Sequence, residues 1–251
     1  HELRSGTQVE AVVDRALAIA CAEPQGPVYL SLPREVLAQE SVPSQASTTQ
    51  SPTLPGAPDL SSIAEVARDL ARARNPLIIT ARAGKQPEAV PLLAALAEAW
   101  AVPVVEFRPR YLSLPNTHAM HGGYEVNPWL DDADFILVLD CDVPWIPQQK
   151  VPAAQARVVH VGSDPLFSRY PIRGFRADQT MAASPLRFLE SLTTAMAALQ
   201  PDGSQHVVEQ LAGLSHEGFA ARILLCAWTL AHEQPVGLLV AHPEDGAGAL
   251  R

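Results

Sequence analysis

Apolar residues along the chain fall into alternating helical and extended spacings. Val9, Val12, Val13, Ala16, Leu17 and Ala20 recur on one helical face, behind Thr7 and Glu10 at capping-box spacing. Glu23-Pro24 ends that helix, because a residue before proline is pushed out of the α region. Residues 28–32 then read as a strand that Pro33 stops. A second helix begins behind Ser62 and Glu65, again at capping-box spacing, with Ile63, Val66, Ala67, Leu70 and Ala71 inward. Strands follow at 77–81 and 102–107, separated by a helix at 87–100 with Val90, Leu93, Ala94, Leu96 and Ala97 inward. Residues 135–139 are an unbroken apolar run, FILVL, too short for a typical helix and suited to a strand covered on both faces. Residues 157–161 form another strand, 175–177 a weak last one, and Ser184-Pro185 opens a closing helix to residue 199. Strands alternating with helices predict an α/β fold with a parallel, doubly wound sheet and right-handed crossovers.

The intervening stretches set the domain organisation. Residues 1–40 hold one helix and one strand, too little to bury a core alone, so they read as the end of a domain whose larger part lies elsewhere. Residues 41–58 contain four prolines and no charge before Asp59, the composition of an extended linker. Residues 59–200 form the main α/β domain. The tail, 201–251, is atypical and reads as linker or the truncated start of a third domain, with helical spacing at 206–211 and 219–230. The first residue is His1, which fits a chain beginning inside a longer one.

Composition narrows the partners. The net charge of −9 disfavours nucleic acid or an anionic membrane as the main partner. No apolar run approaches a bilayer span, and the N-terminus lacks a basic-then-apolar signal. Three widely spaced cysteines, Cys21, Cys141 and Cys226, suit a reduced, cytoplasmic compartment and form no paired zinc pattern.

Candidate chemistry lies where predicted strands end, since open α/β sheets bind ligands at their carboxyl edge. Asp140 and Asp142 follow the FILVL strand, either as site residues or as loop caps. Arg82 and Gly84, in the turn ARAGK after residues 77–81, place backbone amides where a phosphate could sit. That turn matches neither the dinucleotide fingerprint nor the P-loop, and a tight unliganded turn explains it better. Asp164 fits a ribose-binding acid or a turn opener. His118, His121 and Glu125 are nominal metal ligands on a stretch that reads as loop, although solvated or phosphate-facing loop histidines are commoner. Cys141 has no nameable His partner and fits a buried structural thiol. A nucleophile elbow, a zinc-protease helix and a catalytic carboxylate pair are all missing.

The order of these motifs resembles that of thiamine-diphosphate-dependent enzymes of the acetolactate synthase type, over about residues 1 to 200. AVVDRALAIACAEPQGPVYLSLPREVL is similar to the end of their N-terminal, pyrimidine-binding domain: a helix leads through Gly26, Pro27 and Val28 to Pro33 and Glu35. A proline-rich linker follows. NPLIITARAGKQPEAVPLLAALAEAWAVPVVE, DADFILVLDCDVPWIP and ARVVHVGSDPLFSRYP then resemble successive βα units of their central domain. The resemblance implies a six-stranded parallel, Rossmann-like central domain. In relatives that domain binds FAD or ADP, or binds no nucleotide and serves as a scaffold. Here Ala81 and Ala83 flank Arg82 where the family often has Gly-x-Gly, and Ser163-Asp164 follow Gly162 where it has a pair of acids. Both departures weigh against FAD.

The resemblance also implies that thiamine diphosphate and magnesium serve the full-length parent, in carboligation or decarboxylation of a 2-oxo acid. The activating glutamate and the Gly-Asp-Gly motif belong to flanking domains. Glu244-Asp245-Gly246 mimics that motif without a preceding strand or a downstream ligand. No catalytic residue and no cofactor is therefore expected on this chain alone, which should be inactive by itself. Its implied partners are its own flanking domains and a second copy of the parent. The competing reading is a non-enzymatic nucleotide-binding or structural dimerisation module. Arg82, Gly84, Asp142 and Asp164 are then the candidate rim for a nucleotide or for a neighbouring domain.

Overall fold

The computed structural model describes residues 2–40, 53 and 55–199; most of the proposed linker, the tail helices and Glu244-Asp245-Gly246 lie outside the described residues. Helix α1 spans Val9–Cys21, a short α2 Arg34–Leu37, α3 Leu60–Arg72, α4 Ala89–Ala99 and α5 Pro185–Ala197. Strands β1 (Pro76–Thr80), β2 (Val104–Glu106), β3 (Phe135–Leu139), β4 (Arg157–Gly162) and β5 (Gln179–Ala182) form one sheet in the order β2-β1-β3-β4-β5. Every pairing is parallel.

The FILVL run is the middle strand, and all five of its residues are buried, as are all five of β1. Successive side chains of a strand point to opposite faces, so a strand with both faces covered must be apolar throughout. Phe135, Leu137 and Leu139 meet the face built from α3, α4 and α5, where Ile63, Leu70, Leu93, Phe188 and Leu192 are packed. Ile136 and Val138 meet the opposite face with Trp129, Leu130 and Trp145.

The two covers differ in kind. All three long helices of this domain lie on one face, whereas the other is covered by irregular chain carrying a 3-10 turn, Asn127–Trp129, and two large indoles. The β1-to-β2 connection runs through α4 on the first face. The chain then reverses direction across the sheet to reach β3, and a right-handed crossover in the reverse direction must use the other face. Residues 107–133 make that crossover without a long helix, so Trp129 and Leu130 supply the apolar bulk that a helix would supply elsewhere.

Several expectations shift in position. Five strands, rather than six, occur among the described residues, and the sheet ends at β5, a four-residue edge strand of which only Met181 is buried. The last strand is Gln179–Ala182, not 175–177: the Phe175 ring packs edge-on against Trp145 at 5.4 Å, and pairing with β4 begins only at Asp178, whose amide donates to the Val158 carbonyl at 2.8 Å. Strand β2 is shorter than 102–107, since the Val102 amide is drawn to the Ala97 carbonyl and Pro103 has no amide to give. Residues 28–32 form a single bridge, Ser31 to Glu2, because no further strand is present beside them among the described residues.

The helix starts also differ from the capping boxes. Asp59 caps α3, with Oδ2 accepting from the Ser62 amide at 3.0 Å and from the Ser61 hydroxyl. Ser5, not Thr7, accepts at the N-terminal turn that leads into α1. Only Ala16 of α1 is buried, and Val9, Val13, Leu17 and Ile19 remain exposed. Among the described residues no helix is long and apolar enough to cross a membrane.

Candidate functional site

Strand order 2-1-3-4-5 places a topological switch point between β1 and β3, where connections leave in opposite directions and a crevice opens at the carboxyl edge. Asp140, the first residue after β3, sits there. Its amide donates to the Val161 carbonyl at 2.7 Å, and its φ of +46° is a left-handed conformation that costs most residues energy but that Asp tolerates. Burial raises its carboxyl above the usual carboxylate range, opposed by the Arg82 guanidinium, whose Nη2 lies 3.3 Å from Oδ1. Arg82 comes from the end of β1, so the two strands on either side of the switch point each supply one member of this pair.

The turn after β1 is stitched shut from within. The Ala83 amide donates to Thr80 Oγ1 at 3.1 Å, the Gly84 amide to Ser113 Oγ at 3.2 Å, and the Lys85 amide to the Arg82 carbonyl at 2.9 Å. An anion in the crevice would therefore meet the side chains of Arg82 and Lys85 and not these amides. Gly84 has a packing reason to be glycine: a Cβ there would lie 1.7 Å from the Leu112 carbonyl oxygen. Lys85 Nζ is held by Glu23 Oε1 at 2.5 Å, an ion pair reaching across from the segment behind α1.

Two adjoining cavities occupy the crevice. The larger, about 320 Å³, is lined by Arg82, Lys85, Arg110, Asp164, Phe167 and Arg169 among others. The smaller, about 100 Å³, adds the first turn of α5 and Gln86, and Asp140, Lys85, Ser163 and Glu23 line both. Ser184 leaves its capping role: its hydroxyl donates to Gln86 Oε1 at 2.6 Å. Phe167 is flanked by two guanidiniums, Arg82 at 5.4 Å and Arg173 at 4.7 Å from its centroid, a cation–π arrangement that orders both.

The structure thus brings Arg82 and Asp164 of the candidate rim together, with Gly84 behind them and Asp142 to one side. Asp164 is partly committed, since Oδ2 accepts from both the amide and the hydroxyl of Ser168 at 2.8 and 2.9 Å. Asp142 lines neither cavity; Oδ1 accepts from the Val143 amide and Oδ2 lies 3.8 Å from Arg110. Lys85, Glu23, Arg110 and Arg169 join the site although the rim read from sequence did not include them. Lys85 alone carried a local signal, as the last residue of ARAGK.

The remaining candidates are structural. Burial pushes the Cys141 thiol up to about 12, with Asp142 adding to the rise, so no thiolate nucleophile forms near neutrality. His121 Nδ1 accepts from the Gly123 amide at 3.2 Å, which leaves its proton on Nε2 to donate to Glu106 Oε2 at 3.0 Å. Glu106, 1% exposed, also accepts from the Ser113 amide at 2.6 Å. Burial would raise its carboxyl, but these hydrogen bonds outweigh it and hold the group below its ordinary range. His118 accepts from the Met120 amide. Among the described residues no three His, Cys, Asp or Glu side chains converge to hold a metal ion, so the His118–His121–Glu125 reading finds no support there.

Comparison with known proteins adds two findings. The family described as thiamine pyrophosphate enzyme, central domain, matches residues 63–192. Among solved structures, the fold is similar to a benzoylformate decarboxylase from Polynucleobacter necessarius, with 22% identity over 78% of this chain and a TM-score of 0.65. It is also similar to a protein from Mycobacterium smegmatis described as thiamin diphosphate-dependent, with 20% identity over 78% of this chain and a TM-score of 0.67. The chain spans 38% of the length of each.

Proposed function

Because the chain belongs to the thiamine pyrophosphate enzymes, of which it carries the central domain, we propose that it is the scaffold of a 2-oxo-acid carboligase or decarboxylase of the acetolactate synthase type. On this reading residues 1–40 close a pyrimidine-binding domain, 41–58 link it to the central domain at 59–200, and 201–251 lead onward. The observation that carries the reading is the family match over residues 63–192.

Thiamine diphosphate supplies a carbanion-stabilising centre when bound, and protein groups position it. The described residues do not fit the magnesium and diphosphate part of such a site, since no three carboxylate, imidazole or thiol groups converge. No catalytic step is therefore assigned to this chain. Its contribution is mechanical: a stiff parallel sheet whose carboxyl rim, with Asp142, Asp164 and Arg110, meets neighbouring domains or a second copy.

The test is turnover of a 2-oxo acid by the chain alone, supplied with thiamine diphosphate and Mg²⁺ and followed by CO₂ release. Turnover would overturn the claim of inertness, while restoration of activity on adding the flanking domains would support it.

A second reading is favoured by the crevice itself. A cavity of about 320 Å³ falls in the range of roughly 300–1,000 Å³ usual for small-molecule sites. Its cations Arg82, Lys85, Arg110 and Arg169, with the Phe167 and Tyr170 rings, suit a nucleoside diphosphate. Arg82 and Lys85 would hold phosphate and the rings would take the base, as ADP or part of FAD. Calorimetric titration with ADP, FAD and thiamine diphosphate separates the readings. Micromolar ADP or FAD binding supports a nucleotide module; no heat with any of them leaves the scaffold or dimerisation role.

A further inference from the structure

Both cations nearest the switch point are already neutralised by carboxylates of the chain itself, but the two pairs are not equivalent. Arg82 is held by Asp140, whose backbone is fixed at the end of β3 by the hydrogen bond from its amide to the Val161 carbonyl, so this acid belongs to the sheet itself. Lys85 is held by Glu23, which lies outside the sheet, just beyond α1. The Glu23 carboxylate lines both cavities together with Lys85. Among the described residues, its segment also meets the rest of the chain where the Glu23 amide reaches the Thr53 carbonyl at 3.4 Å and where Gly26 lies against the Arg169 guanidinium, 2.5 Å from where a Cβ would stand.

We propose that Glu23 is a built-in anion stopper, occupying on Lys85 the place that a ligand phosphate would take. A nucleoside diphosphate enters by displacing the Glu23 carboxylate, so nucleotide binding and docking of the segment behind α1 exclude one another. Linkage makes the effect reciprocal: whatever favours docking weakens the nucleotide, and bound nucleotide releases the segment by the same factor. The crevice thereby couples the content of the central domain to the seating of the segment that precedes it. This inference rests on the nucleotide reading above, and it adds the regulation of that site.

ADP titrations of the full chain, its Glu23→Gln variant and the Glu23→Gln/Lys85→Gln double variant test it at one ionic strength. Removing the competing carboxylate should tighten ADP by roughly fivefold or more, and the gain should vanish when Lys85 is also replaced. Saturating ADP should speed amide hydrogen exchange around residues 20–26 in the wild type. Equal ADP affinity in wild type and Glu23→Gln overturns the stopper while leaving the nucleotide reading intact. A gain that survives in the double variant overturns it as well, because the effect then does not pass through Lys85. Failure of both wild type and Glu23→Gln to bind overturns the stopper and the nucleotide reading together.

Discussion

Acidification should destabilise this domain through His160, a group buried on the sheet. The residue lies on β4, 1% exposed, beside Trp145 at a ring separation of 6.3 Å. Its Nε2 donates to the Arg176 carbonyl at 3.1 Å and its Nδ1 accepts from Arg173 Nη2 at 3.1 Å, so both nitrogens are satisfied only in the neutral ring. Burial first, and then the Arg173 charge, lower its pKa from 6.5 to about 4. A base whose folded pKa is depressed must shed its proton to fold. Its stability contribution is therefore intact above the unfolded pKa, is lost as pH falls from 6.5 towards 4, and levels off below that. With those two values the loss is about 2 kcal/mol near pH 5 and approaches about 3 kcal/mol in stronger acid. For a domain of this size that is a fall of roughly 4–8 °C in Tm near pH 5.

The assay is thermal or urea unfolding between about pH 7.5 and about pH 5 for the wild type and His160→Gln, a range set by the histidine's titration. Carboxylates titrate in both proteins and cancel in the difference. His160→Gln should start lower at neutral pH, because its amide cannot make both bonds, and then lose less on acidification by about 2 kcal/mol. Parallel acid limbs in the two proteins would refute the reasoning, as would an NMR titration of His160 in the folded chain near its ordinary value.

The other expectations concern single contacts. Glu106→Ala leaves His121 and the Ser113 and Leu114 amides without their shared acceptor and should cost about 1–3 kcal/mol for each buried donor left unsatisfied, read by denaturant unfolding. Because the Glu106 carboxyl is held below its ordinary range, its contribution is present above the unfolded pKa and fades as pH falls through the folded value. Gly84→Ala drives a Cβ into the Leu112 backbone and should cost about 3 kcal/mol or more, read as a fall in Tm, whereas Gly123→Asn, at a φ of +88° with open space around it, should cost far less. Asp142→Ala should leave Tm within a few degrees while altering loop order or docking, because Arg110, the cation paired with it at 3.8 Å, is mostly exposed. A larger fall would mark Asp142 as a structural cap.

Local pattern carried most of the architecture. The FILVL run could only be a buried strand, the helical spacing behind Asp59 had to place Ile63, Val66 and Leu70 inward, and the order of these units already implied a parallel sheet. Such inferences hold because burial of an apolar side chain depends on its own chemistry and its period along the chain. The carboxyl end of β3 was likewise legible as the place for a site. Which acid would face the crevice was not: Asp140 and Asp142 look alike in sequence, and only the left-handed turn after β3 sends the first into the cavity and the second towards Arg110. The start of β5 also depended on contacts with other parts of the chain, whereas the cap of α3 is local and falls to Asp59, whose carboxylate reaches the Ser62 amide three residues on.

The pairing of Glu23 with Lys85 lies furthest beyond sequence. Sixty-two positions separate them, and nothing in AEPQ or ARAGK marks either as a partner of the other. Propensity and periodicity act over a few residues, so the sequence alone determined the elements, their order and the faces they bury. Electrostatic pairs, shared carbonyls and close backbone approaches act through space between distant segments, so only the tertiary structure decided which charges share the crevice, which amides are spent inside the turn, and which acid guards Lys85.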